Sequence, residues 1–179
     1  MPLASAKPMQ KINRAPSPLL ARTVPPLAII LGSVLQTLPL IASAPILPPL
    51  GFLFLLAWRQ LRPGLLPVWA GLPLGLVDDL FSGQPMGSAM LLWSLAMLFL
   101  EAIERRFPWR SYLMDWFVAA GVILGYLLLG SVVAHVGKHG PIATVLTPQL
   151  LLSVLVFPLA ERFIATCDRF RLWRFRAIS

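Results

Sequence analysis

Charge is what this chain has least of. Only 12% of its 179 residues are Asp, Glu, Lys or Arg, while 58% are hydrophobic, against roughly 25% charged in ordinary soluble domains. Between Val24 and Ala57 there is no charged residue at all, and four further stretches as apolar follow. A mean hydropathy of +0.79 excludes an ordinary soluble fold and points to a chain whose solvent is lipid. Cysteine is nearly missing too, and Cys167 alone excludes a disulfide framework and a thiolate metal cluster. Histidine occurs only at His135 and His139. Gly137 and Gly140 interrupt any helix that could present that pair on one face, so they read as solvated interfacial residues rather than metal ligands. No cofactor or metal is expected.

What is present is apolar length broken by basic islands. A crossing needs about 20 mainly apolar residues, so six spans with short connections would use nearly all of the chain, and no soluble catalytic domain is expected. Residues 1–23 hold Lys7, Lys11, Arg14 and Arg22 among Pro2, Pro8, Pro16 and Pro18, a composition that disfavours a long helix and reads as a basic tail. The spans are placed near 24–42, 47–59, 64–81, 86–103, 112–134 and 142–164. The second is short for a crossing and is expected to tilt, to re-enter or to thin the bilayer. Residues 166–179 form a basic-aromatic tail after a 24–165 membrane domain. Ala42-Ser43-Ala44 imitates a signal-peptidase site, but the apolar run is longer than a typical signal and Pro45 follows the cut, so the first span is expected to stay.

Lys and Arg concentrate on the cytoplasmic side of membrane proteins. With six crossings, every one of the fifteen Lys and Arg residues except Lys138 falls on the side of the two tails. The expected fold is therefore an all-α, polytopic six-helix bundle with both termini cytoplasmic. The net charge of +8 sits in islands between apolar runs, a mark of topology rather than of nucleic-acid binding.

The densest motif is Gly71-Leu72-Pro73-Leu74-Gly75-Leu76-Val77-Asp78-Asp79-Leu80-Phe81-Ser82-Gly83-Gln84-Pro85-Met86-Gly87. Two acids at the outer end of a membrane helix can be hydrated, or can bond the backbone N–H groups of the turn. A sharper alternative makes Asp79 the acceptor that fixes the Ser82–Gly87 turn, with Asp78 facing water or a partner. Consecutive helical residues point about 100° apart, so the pair does not converge on one substrate atom, and no nucleophile and base accompany it. The chain does not read as an enzyme. Gly71-x-x-x-Gly75 and Gly121-x-x-x-Gly125 have the small-residue spacing that lets membrane helices approach closely, with packing inside this chain favoured over packing against a partner helix. Arg169, Arg171, Trp173, Arg174 and Arg176 interleave cations with an aromatic and read as an interfacial anchor on anionic lipid. Trp58, Trp69, Trp109 and Trp116 lie near span ends, as an aromatic belt would.

The hairpin from Gly75 to Gly87 resembles the signature of the MreD family, bacterial rod shape-determining membrane proteins; Asp79, Leu80, Ser82, Gly83, Pro85 and Gly87 match it. Gln36-x-x-Pro39, and Pro49 opening a span that closes with Trp58, are similar to the family's N-terminal half. The likeness extends over about residues 24–165 and is specific over roughly 36–100; Asp78 and the proline-rich tail depart from it. The resemblance implies a non-enzymatic inner-membrane subunit of the elongation complex that helps position side-wall peptidoglycan synthesis. Its implied partners are MreC, the RodA glycosyltransferase, a class B penicillin-binding transpeptidase and MreB. It also implies a fold similar to the substrate-binding subunits of energy-coupling-factor transporters. The rival reading is a small-ligand-binding transporter subunit. A polar pocket near Asp78, Asp79, Gln84 and Ser88, open to the outside, would favour transport; a closed bundle with an exposed apolar groove would favour a scaffold.

Overall fold

A computed structural model describes residues 14–15, 18–37, 47–82, 85–107, 111–134, 142–172 and 176–177. Among the described residues there are six helices: α1 Pro18–Leu35, α2 Leu50–Leu61, α3 Gly71–Ser82, α4 Ser88–Arg106, α5 Tyr112–Ala134 and α6 Ile142–Arg171. Each falls on one of the six apolar segments, so the all-α, six-helix reading holds. The only other regular elements among the described residues are a 3-10 turn at Val68–Ala70, leading into α3, and a two-residue antiparallel ladder of Arg14–Ala15 with Arg176–Ala177.

Several boundaries differ from expectation: α1 ends at Leu35 rather than near 42 and α3 starts at Gly71 rather than near 64, and two further differences have local reasons. Helix α1 starts at Pro18 rather than near Val24, because a proline in the first helical turn gives up no hydrogen bond. Pro25 and Pro26 remain inside α1. Pro25 cannot donate to the carbonyl of Ala21 four residues back, and Nη1 of Arg171 donates to that oxygen instead, at 3.3 Å. Helix α6 continues past the expected end near 164 to Arg171; its 30 residues rise about 45 Å, more than the hydrocarbon core requires.

Helix α2 is the hub. Every residue from Gly51 to Arg59 is buried, as suits a segment that is apolar around its whole circumference. Its 12 residues rise only about 18 Å. Protein rather than lipid surrounds it, so backbone groups beyond its ends are shielded by the bundle. Phe52 stacks on Tyr126 of α5 with ring centroids 4.1 Å apart and lies 6.0 Å from the ring of Trp93 on α4. Phe54 stacks on Phe163 of α6 at 5.2 Å. Gly32 of α1 meets Gly51 of α2 backbone to backbone: a Cβ at Gly32 would stand 3.0 Å from the Gly51 Cα.

The outer surface is apolar. Among the described residues two helical segments are long and apolar enough to cross a membrane, Tyr112–Val133 and Leu146–Arg171, and in their most apolar stretches only 28% and 22% of residues are buried. Phe117, Leu151 and Leu155 are 65%, 65% and 74% exposed. Such a surface suits a hydrocarbon solvent, not water. The ladder between residues 14–15 and 176–177 and the bond from Arg171 to Ala21 bring the start of α1 and the end of α6 to the same end of the bundle. The α3–α4 turn lies at the opposite end.

Candidate functional site

The α3–α4 turn is built around one carboxylate. Asp79, near the end of α3, is 4% exposed, and its two oxygens accept four hydrogen bonds from the start of α4. Oδ2 accepts from the backbone N–H of Gly87 at 2.9 Å and of Met90 at 3.2 Å. Oδ1 accepts from the Ala89 N–H at 2.8 Å and the Ser88 hydroxyl at 3.1 Å. The first N–H groups of a helix have no partner within it, and a negative group there also meets the positive end of the helix dipole. One side chain from the preceding helix thereby caps the next. Gly87 carries a φ of +91°, which a residue with a Cβ rarely adopts. The Ser88 N–H donates to the Pro85 carbonyl at 3.0 Å, closing a turn with that glycine at its third position. Ser82 ends α3; Gly83 and Gln84 of the motif lie outside the described residues.

Asp78 faces neither water nor a partner, as the sequence had suggested, but the bundle interior. It is 2% exposed, and its Oδ1 lies 3.1 Å from where a Cβ of Gly51 would be, a position that also collides with the Ser33 hydroxyl. The rotation of about 100° between neighbouring helical residues sends Asp79 to α4 and Asp78 to the α1–α2 crossing.

The two Gly-x-x-x-Gly pairs have opposite surroundings. A Cβ at Gly75 would stand 2.6 Å from the Met90 Cα and 2.7 Å from the Ala89 carbonyl oxygen. One at Gly71 would stand 3.0 Å from the Ser94 Cα. This pair lets α3 and α4 meet backbone to backbone, the packing inside the chain that the spacing suggested. Gly121 and Gly125 on α5 have no atom within 4 Å of their Cβ positions. They lie in a groove of about 360 Å³ between α4 and α5, walled by Leu95, Phe99, Val122 and Tyr126 among other apolar residues. For this second pair the packing favoured from the sequence is absent among the described residues.

At the end carrying the tails the charged residues are organised in two clusters. Arg59 is 1% exposed. Its Nε donates to Glu104 Oε1 at 3.0 Å and its Nη2 to Glu104 Oε2 at 2.7 Å, a bidentate pair. Nη2 also meets Glu101, and Nη1 donates to the Leu66 carbonyl at 2.8 Å, pinning the α2–α3 connection. Arg105 holds the other Glu101 oxygen at 2.9 Å. In the second cluster Asp168 joins Arg62 and Arg171, each at 2.8 Å, and the Arg171 guanidinium lies over the Trp58 ring at 5.7 Å. Both clusters were missed in the sequence, where Arg59, Arg62 and Glu104 fall at or between the ends of the expected spans. A usable signal was present: Glu101 and Glu104 lie three apart on one face of an apolar helix, and Arg59 ends another.

Of the residues read as a lipid anchor, Arg169 is exposed and Arg171 is buried. Arg176 is described only as backbone of the ladder, and Trp173 and Arg174 lie outside the described residues. Trp58 is fully buried in the hub rather than in a surface belt, whereas Trp69 is 67% exposed. Trp109, Lys138 and both histidines lie outside the described residues.

Compared with known proteins, residues 19–161 match the family model described as rod shape-determining protein MreD. No curated protein and no solved structure matches the chain.

Proposed function

Because the chain belongs to the MreD family of rod shape-determining proteins, a membrane-associated and non-enzymatic family, we propose that it is a scaffold subunit of the bacterial elongation complex. In this reading all six helices cross the inner membrane and both termini are cytoplasmic. The protein holds MreC and, through it or directly, RodA, a class B penicillin-binding transpeptidase and MreB, so that side-wall peptidoglycan is made in the right place. The proposal includes kinship with the substrate-binding subunits of energy-coupling-factor transporters.

The observation that carries this reading is the open groove over Gly121 and Gly125. Between membrane helices there is no hydrophobic drive beyond what lipid already supplies, so specific association relies on close van der Waals packing over small residues. A groove of about 360 Å³ with two glycines in its lining and apolar walls offers that packing to a partner helix. The transport reading needs free polar groups near the α3–α4 turn. Asp79 is already satisfied by four bonds from the chain itself, and Asp78 is 2% exposed.

Depletion of the protein in a rod-shaped host, followed by microscopy and affinity purification, tests the proposal. Rounded cells and co-purification of MreC with the tagged protein are expected. Normal shape together with a nutrient-uptake defect would replace the scaffold with a transporter.

A further inference from the structure

Of the seven acids in the chain, Asp79 caps α4, Asp78 is turned inward, and Glu101, Glu104 and Asp168 hold arginines. The remaining two, Asp115 on α5 and Glu161 on α6, line one pocket of about 310 Å³ together with Gln60 of α2, Tyr112 of α5, and Pro158 and Arg162 of α6. That volume is at the lower end of small-molecule sites. The walls carry acceptors and one cation. Gln60 Nε2 donates to the Asp115 carbonyl at 3.0 Å, a bond that fixes which way the amide lies. Its carbonyl oxygen Oε1 is then left buried with no donor, a costly state for a polar atom. Glu161 is half-buried and Arg162 is exposed, and neither makes an ion pair among the described residues, with each other or with a third group. One pocket thus holds a carboxylate and an amide oxygen in need of a donor, and a guanidinium in need of an anion.

We propose that this pocket binds the headgroup of phosphatidylethanolamine, with the ammonium on Glu161 and Gln60 Oε1 and the phosphate on Arg162. A primary ammonium has N–H donors enough to reach both oxygens, and Asp115 adds a second negative charge to the wall. Guanidinium groups bind phosphate oxygens through paired N–H donors. The depth suits a headgroup. Gln60 follows Arg59 at the end of α2, and the exposed Tyr112 begins α5, the kind of position at which aromatic residues meet the membrane interface. The acyl chains have a track as well. Leu151, Leu155, Pro158 and Arg162 share one stripe of α6 by their helical spacing, and Leu151 and Leu155 are exposed, so an apolar surface leads from the pocket toward the middle of the bilayer. Binding in detergent is independent of the proposed orientation and of the scaffold role.

The test is native mass spectrometry of the full-length protein in mild detergent, with phosphatidylethanolamine and phosphatidylcholine of matched acyl chains in competition. The two share a phosphate, but the choline nitrogen has no N–H to donate. Phosphatidylethanolamine should be retained about tenfold better. Glu161→Gln keeps the shape of the side chain and should bring the two lipids close to parity. Arg162→Gln should weaken both alike, by about tenfold, and leave their ratio unchanged. Neither side chain is fully buried, so both variants should keep the thermal unfolding midpoint of the lipid-free protein. Equal retention of the two lipids by the wild-type protein, or an undiminished preference in Glu161→Gln, would overturn the proposal. Soluble phosphoethanolamine displacing the lipid at equal concentration would show that the site takes the free aminophosphate and would overturn the lipid assignment.

Discussion

Gly71-x-x-x-Gly75 and Gly121-x-x-x-Gly125 are the same motif in sequence and opposites in structure. At the first, two helix backbones are already in contact: Met90 stands 2.6 Å from where a Gly75 Cβ would be. At the second, nothing stands within 4 Å. The motif alone gives permission for close approach, and the rest of the helix decides whether the approach is made within the chain. Helices α3 and α4 are held in register by Asp79 across a short turn, so the glycines between them are filled. Helix α5 follows a separate connection, and its glycine face is left open. The α3–α4 face is therefore closed within the chain, and the α4–α5 face is open.

The strongest way to break the comparison is Gly75→Ile. The new side chain meets backbone, which cannot rotate away, so α3 and α4 must separate and the Asp79 bonds go with them. A loss beyond about 5 kcal/mol is expected, in the range that unfolds a marginal domain. It would be read as loss of folded protein by size-exclusion of a fluorescent fusion. A normal elution profile and melting midpoint would show that the contact is not essential to the fold.

Next in size is Arg59, which fastens α2 to α4. Arg59→Met strands the Glu104 carboxylate and the Leu66 carbonyl that it serves, while Glu101 keeps Arg105, and should lower the melting midpoint by less than Gly75→Ile does. The sharper experiment replaces the cluster together. Arg59→Met/Glu101→Gln/Glu104→Gln should melt at a higher temperature than Arg59→Met alone, because the cost lies in stranded charge rather than in the lost pair. If the triple variant is the less stable, the cluster contributes attraction of its own.

The sequence was informative in proportion to how local each feature is. Six apolar lengths and their proline and glycine breaks define six helices. The Asp79 turn was readable because acid, turn residues and the next helix start all lie within Asp79–Met90. Arg59 and Glu104 are 45 residues apart, and no local pattern says that they meet. Arg169 and Arg171 read as equal members of one anchor, yet two residues on a helix differ by about 200°. Once α6 is seen to run to Arg171, one must face out and the other in. Trp58 was assigned to a belt because it lies near a span end; α2 is enclosed on all sides, so its ends meet protein. Neither pair of glycines announced which would be filled.

A smaller effect is expected at Asp79 itself. Asp79→Asn keeps the shape but replaces one acceptor oxygen with an NH₂ group facing N–H donors, and removes the charge opposite the helix dipole. About 2 kcal/mol of lost stability is expected, seen as a lower melting midpoint and as faster hydrogen exchange at Gly87, Ala89 and Met90. The exchange is the discriminating readout. A lower midpoint with unchanged protection at those amides would place the destabilisation elsewhere than at the helix start.

The smallest effect on stability, and the largest on association, belongs to Gly121→Ile. The added side chain enters open space, so the melting midpoint should move by less than about 0.5 kcal/mol in equivalent stability, the usual range for substitutions that touch nothing. What it fills is the groove proposed for a partner helix, where an isoleucine holds the incoming backbone away. Co-purification of MreC should fall while the amount of folded protein stays at the wild-type level, the reverse of Gly75→Ile. The two substitutions thereby separate folding from binding in one residue type and one spacing. If Gly121→Ile leaves MreC bound in full, lipid rather than protein fills the groove, and the interface must be sought on another face of the bundle.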